Sequence, residues 1–204
     1  MHGISLAVLA GGQSVRFGSN KALTPIGGKP ILHRVLAAAA GLADEVFVVT
    51  NTPEAYPDLG LPLVSDIRPA GGALRGLHTA LSTATQPWVL CLACDMPFLQ
   101  TALLRFLCER ALAASAPLGV VVPRHADGFE PFCALYNRSL CLPELEPLLD
   151  SGRWRMIGLY ERVPVEAIAL DTLRAHDPEL LSFLNINTPD DLVAANTLAQ
   201  RHGL

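Results

Sequence analysis

What this chain has little of is lysine. Only two, Lys21 and Lys29, stand against thirteen arginines in 204 residues, and both lie in or just after one glycine-rich stretch, Leu9 to Leu23. Charge of either sign is sparse, at 17% of residues, and the net charge is −4. That balance argues against a general nucleic-acid surface and leaves room for a local basic pocket. Long apolar runs are missing as well, and none approaches the roughly 18 residues that a membrane-spanning helix needs. The opening MHGISLAVLAGG is apolar and ends in small residues. It lacks the basic first segment of a secretion signal and reads as a buried strand. These absences point to a cytoplasmic protein with neither a membrane nor a nucleic acid as partner.

Cysteine usage excludes more. The five cysteines, Cys91, Cys94, Cys108, Cys133 and Cys141, are odd in number and irregularly spaced. Cys91 and Cys94 form C-x-x-C, but no second pair or suitably placed histidine completes a zinc site. They sit in WVLCLACD, which reads as a buried strand, where free cysteine behaves as a small hydrophobe. The six histidines are scattered without an H-x-x-x-H pair, and no nucleophilic triad stands out.

What is present is apolar and ordered. Half the residues are apolar. A chain of this length buries roughly 70% of its unfolded surface, so it needs neither disulfide nor metal to hold a core. ISLAVLA (4–10) is a short apolar run ending in Gly11-Gly12, the pattern of a buried parallel strand. Further strands are expected in EVFVVT (45–50), LPLVS (61–65), WVLCLA (88–93), GVVVP (119–123), PFCALY (131–136) and VEAIAL (165–170). Helices are expected from Pro30 through ILHRVLAAAAGL, over 72–84, near 101–114, around 139–150 and from Pro189. Strands alternating with helices give an α/β fold of one domain, its sheet parallel or mostly parallel and covered on both faces. Ligands bind such sheets beyond the carboxyl ends of the strands, where the strand order reverses. Three features fall at such ends: the loop from Gly11, Asp66 after the third strand and Asp95 after the fourth.

The loop carries neither common phosphate fingerprint, because G-x-x-x-x-G-K-[ST] and G-x-G-x-x-G are both absent. Gly11 and Gly12 still offer backbone N–H groups to an anion, while Arg16 and Lys21 supply cationic donors. Lysine is a compact point charge on a flexible stem, suited to a phosphate. A glycine turn with solvated charges is the plain alternative. Joined to the strand-end aspartates, the loop points to a triphosphate and a metal. Asp95 either binds magnesium, which takes one or two protein carboxylates when it arrives on phosphates, or caps the following turn. Asp66 either meets a nucleotide or begins the SDIRP turn. In NINTPDDL, Thr188, Pro189 and Asp191 form a capping box before the last helix. Spacing leaves open whether Asn185 and Asn187 also bind a ligand. Nucleotidyl transfer to a phosphate monoester needs no general base, since a second pKa near ~6 leaves the acceptor mostly dianionic.

LAGGQSVRFGSNKAL with GGKPIL resembles the signature loop of the nucleoside-triphosphate transferases. Among them it is most similar to the molybdenum cofactor guanylyltransferases. The likeness continues in collinear order through VSDIRPAGGALRGLHTAL, CDMPFL, PFCALY and NINTPDDL, over most of the chain. It implies a Rossmann-like three-layer αβα sandwich of the nucleotide-diphospho-sugar transferase type, a single domain over 1–204. It also implies a reaction. GMP passes from GTP to the terminal phosphate of the molybdenum–molybdopterin cofactor, giving molybdopterin guanine dinucleotide and pyrophosphate, with Mg2+ as cofactor. Carried over by position, Leu9, Ala10, Gly11, Gly12, Gly72 and Gly76 line the nucleotide. Arg16 and Lys21 face its phosphates, Asp66 the nucleoside, Asp95 the magnesium and nucleotide, and Asn185 and Asn187 the pterin. GTP and molybdopterin cofactor are the implied partners, with cofactor-insertion proteins upstream and recipient molybdoenzymes or their chaperones downstream.

Two departures from the family stand out. Ala73 replaces a proline common in it, and any of Val49, Thr50 and Asn51 fits the polar position after the second strand. The competing readings are a cytidylyltransferase acting on the same pterin, a sugar-phosphate nucleotidyltransferase and a non-catalytic nucleotide-binding accessory protein. The AGG start and the Gly72–Gly76 stretch favour guanine.

Overall fold

β1 (Ile4–Leu9) is buried along almost its whole length, and its side chains divide between two apolar layers. In the computed structural model, which describes residues 1–11, 20–125 and 128–203, Ile4, Leu6 and Val8 join one layer and Ala7 the other. A strand apolar on both faces belongs at the centre of a helix-covered sheet. Along the chain follow β2 (Pro25–Ile26), β3 (Lys29–Pro30), α1 (Ile31–Ala38), β4 (Glu45–Val49), β5 (Leu63–Val64), α2 (Gly72–Thr83) and β6 (Trp88–Ala93). Then come α3 (Thr101–Leu112), β7 (Val120–His125), β8 (Gly128–Phe129), β9 (Cys133–Asn137), α4 (Arg138–Asp150), α5 (Ile157–Tyr160), β10 (Val165–Ile168), α6 (Leu170–Arg174) and α7 (Pro189–His202).

The main sheet has the order β10-β7-β9-β6-β1-β4-β5, with β8 paired to β7. β1 is parallel to both β4 and β6, whereas β9 runs antiparallel between β6 and β7. The sheet is therefore mixed but mostly parallel. Buried residues of α1, α3 and α7 pack on one face with Leu6, Leu90 and Leu92, and those of α2, α4 and α5 on the other with Val89 and Cys91. The C-x-x-C stretch is core: Cys91 is fully buried, and all five cysteines are free thiols.

Several bounds differ from the sequence expectation for physical reasons. The third strand contracts to two residues at the sheet edge, where Pro62 lends its carbonyl to the Val48 N–H (2.9 Å) but has no N–H to donate. β7 runs on to His125 because β8 folds back on it. β2 and β3, unforeseen in the sequence, form a hairpin turned by Gly27 (φ 57°) and Gly28 (φ 79°), the positive-φ pair that a tight hairpin favours.

From β1 the chain moves outward through β4 to β5, and α2 then returns it to β6 on the other side of β1. The strand order reverses between β1 and β6, and their carboxyl ends stand in register, Leu9 opposite Ala93. The Cys94 N–H extends this pairing to the Leu9 carbonyl at 3.1 Å, and Ala10 N–H bonds the Val49 carbonyl at 2.9 Å.

Candidate active site

Three distant segments meet at this reversal. Asn20 opens a 3-10 turn over Lys21–Leu23, its side-chain oxygen accepting the Ala22 N–H at 3.1 Å, and its amide donates to the Tyr56 hydroxyl at 2.9 Å. The turn aims Lys21 inward. Its Nζ donates to Asp95 Oδ2 at 3.1 Å and to Asn187 Oδ1 at 3.0 Å. Asp95 is fixed in turn, because its backbone carbonyl accepts the Ile186 N–H at 2.9 Å. Asn187 is held by the capping box of α7, where Asp191 Oδ2 accepts the N–H groups of Asn187 and Thr188, each at 2.8 Å. Those bonds hold the Asp191 carboxyl below the usual carboxylate range.

The lysine side chain is 14% exposed and the Asp95 side chain 27%, so this charged pair is sheltered yet open to a ligand. Burial, and after it the charge of Asp95, pushes the Cys94 thiol up to about 12, which removes it as a nucleophile at neutral pH. The same two influences raise the Glu130 carboxyl, a second acid within reach of Asp95's field. No motif in the chain singles out Glu130. Lys29, by contrast, is exposed in the β2–β3 hairpin.

A second polar cluster lies at the ends of β4 and β5. Asn51 donates to Asp66 Oδ2 at 2.7 Å and accepts the Asp66 N–H at 2.9 Å. Arg75 Nε lies 2.8 Å from the same Oδ2, and Thr79 Oγ1 donates to Oδ1 at 3.4 Å. The Asp66 side chain is 7% exposed. Of the three candidates for the polar position after the second strand, Val49 and Thr50 are buried and Asn51 is bonded to Asp66. Gly72 starts α2 with φ 55°, and a Cβ on Gly76 would sit 3.7 Å from Leu9 Cδ1. Gly76 of α2 thus lies against the Leu9 side chain. Three inter-strand steps of about 4.8 Å put ~14 Å between β6 and β5, the scale of an extended nucleoside triphosphate.

The structure joins Lys21, Asp95 and Asn187 in one group, and Asp66 and Arg75 in another. Asn185 stands apart from Lys21. It lines a groove of about 420 Å³ along α7 with Phe98, Leu184, Ile186 and Leu198. Gly12 and Arg16 lie outside the described residues.

A family model described as the MobA-like NTP transferase domain matches residues 6–165. The chain belongs to this family. The molybdenum cofactor guanylyltransferase of Desulfosudis oleivorans is 36% identical over 196 residues, covering 96% of this chain and 95% of that one. A probable molybdenum cofactor guanylyltransferase of Trichormus variabilis is 38% identical, covering 94% and 90%. Among solved structures, the molybdopterin-guanine dinucleotide biosynthesis protein A of Archaeoglobus fulgidus superposes with a TM-score of 0.82 at 30% identity, covering 97% and 99%. The family model stops inside β10, whereas these matches cover 94–97% of the chain. Membership in the MobA-like family accounts for the sheet and its reversal point.

Proposed function

We propose that this protein transfers GMP from GTP to the terminal phosphate of the molybdenum–molybdopterin cofactor, releasing pyrophosphate. The observation that carries this reading is the meeting of Lys21, Asp95 and Asn187 at the β1–β6 reversal, in a chain whose relatives bear that activity in their names. The whole chain, 1–204, acts as one nucleotidyltransferase unit. No helix among the described residues is long and apolar enough to cross a membrane. We place the reaction in the cytoplasm, between proteins that insert the metal into the cofactor and the molybdoenzymes, or their chaperones, that receive the product.

In this reading the triphosphate lies across the strand ends, with Leu9, Ala10, Gly11, Gly12, Gly72 and Gly76 around the nucleoside and Asp66 beneath it. Lys21 and Arg16 face the phosphates. An oxygen of the acceptor's terminal phosphate attacks the α-phosphorus in line. The new O–P bond forms as the bond to the β-phosphate bridging oxygen breaks, and pyrophosphate leaves with that electron pair. The dianionic acceptor needs no base, so the protein's task is positioning and charge stabilisation. Asn187 joins the lysine to the segment that faces the pterin, and Asn185 extends that segment.

The residues fit a magnesium ion carried on the triphosphate. Asp95 offers one hard carboxylate at the reversal point, with Glu130 close enough to feel its charge. Magnesium typically takes one or two carboxylates and fills its shell with phosphate oxygens and water. When bound, the ion would neutralise charge on the phosphate oxygens.

Purified protein with Mg2+, GTP and molybdopterin cofactor is expected to release pyrophosphate, and far less with CTP, ATP or UTP in place of GTP. A preference for CTP would move the protein to cytidylyl transfer. GTP binding without pyrophosphate release would leave a nucleotide-binding accessory protein.

A further inference from the structure

Asp66 cannot meet a nucleoside alone, because Arg75 already shares its carboxylate. The guanidinium is held at two points: Nε sits 2.8 Å from Asp66 Oδ2, and Nη1 donates to the Pro69 carbonyl at 2.8 Å. The Nε atom is buried, yet despite its closeness to Oδ2 its N–H is not aligned with any acceptor among the described residues. The residue springs from the first turn of α2, between Gly72 and Gly76, and its side chain stays 27% exposed. A cation that merely balanced Asp66 would need neither the exposure nor the second anchor.

We propose that Arg75 is a specificity-determining residue that reads the base together with Asp66, an inference that rests on the guanylyl-transfer reading above. Guanine presents an O6 acceptor beside its N1–H and 2-amino donors. Arginine suits guanine acceptors well, and a carboxylate suits the neighbouring donors. The Asp66–Arg75 pair sets an acceptor next to donors, the complement of that edge. Asn51 and Thr79 keep the carboxylate turned toward the arginine, and the Pro69 carbonyl keeps the arginine from following it into solvent. Adenine, with a 6-amino donor where guanine has O6, faces the guanidinium donor to donor. Arg75 also offsets the carboxylate's charge, so the pocket does not repel a triphosphate.

The test is a binding series at fixed Mg2+ with GTP, inosine triphosphate, 6-thioguanosine triphosphate and CTP. The wild-type chain, Arg75→Met, Arg75→Lys and Asp66→Asn are compared, with folding checked by circular dichroism. Wild type should favour GTP over the 6-thio analogue, which keeps N1–H and the 2-amino group but puts a weaker acceptor at position 6, by about tenfold. Arg75→Met should bring that ratio close to one while retaining the preference for GTP over inosine triphosphate, which reports the 2-amino group. Asp66→Asn should do the reverse. Arg75→Lys keeps the charge without the fork and should fall between wild type and Arg75→Met, a second variant should methionine not fold. If the arginine variants bind all purines more weakly at an unchanged O6 ratio, Arg75 is only a structural brace and the proposal is overturned. If wild type prefers CTP or shows no base preference, the guanylyl reading itself falls, a result the mutants cannot mimic.

Discussion

Lys21 and Lys29 are the same residue type eight positions apart, and their surroundings give them different work. Lys21 is 14% exposed and bonded to Asp95 and Asn187, whereas Lys29 stands exposed in a hairpin. Lys21→Ala should therefore cut turnover far more than Lys29→Ala, and equal mild losses in a pyrophosphate-release assay would contradict the site. Asp95→Asn keeps the shape and removes the charge. It should lower turnover by orders of magnitude, since metal-assisted charge stabilisation is worth several kcal/mol; near-normal activity of a folded variant would remove Asp95 from the site. Both residues were legible in the sequence, one through the scarcity of lysine and the other through its place after a buried strand. Arg75 was not, being one of thirteen arginines on what reads as an ordinary helix face. Glu130 was hidden as well, because its closeness to Asp95 depends on which strand lies beside β6. Asn51 was one of three candidates, and its two bonds to Asp66, fifteen positions away, carry no mark in the sequence.

At the scale of elements, α7 has two duties. Its capping box starts the helix and, through the Asn187 N–H, holds the residue that bonds Lys21. Thr188→Ala should cost about 1 kcal/mol of stability by loss of the cap. The Asp191 part depends on pH. Its carboxyl is held below the ordinary range by the Asn187 and Thr188 N–H groups. Its stabilisation is thus fully present above the unfolded carboxylate pKa and is lost as pH falls through the lower folded value. The stability gap between wild type and Asp191→Asn, followed by denaturant unfolding, should be widest near neutrality and close in strong acid. A gap that ignores pH would mean that the carboxylate's charge plays no part in the cap. The box was legible because its signature is local. The hairpin of β2 and β3 and the short helices α5 and α6 were not, as each is too brief for a hydrophobic period to register.

For the whole molecule, the sequence pattern indicated the layers but not the strand order. A buried strand reads the same whether its neighbour is parallel or antiparallel, so the insertion of β9 between β6 and β7 had no local signal. The order β6-β1-β4-β5 sets the ends of those four strands side by side, and the segment before α7 is bonded to the first of them through Ile186 N–H and the Asp95 carbonyl. A ligand spanning those ends ties together parts of the chain that otherwise meet only through the core. It should stabilise the fold as a whole rather than one loop. At a hundredfold its Kd, a ligand that binds only the native state adds about 2.7 kcal/mol. For a chain of this size each kcal/mol is worth about 2–4 °C, so Mg2+ with GTP should raise the Tm by roughly 5–10 °C. The same concentration of CTP should raise it much less, and Asp95→Asn should shrink the GTP shift without lowering the Tm of the nucleotide-free protein by a comparable amount. If GTP leaves the Tm of wild type unmoved at concentrations that saturate turnover, the strand ends do not form the nucleotide site. A shift that Asp95→Asn leaves intact would instead put the triphosphate elsewhere along the same edge.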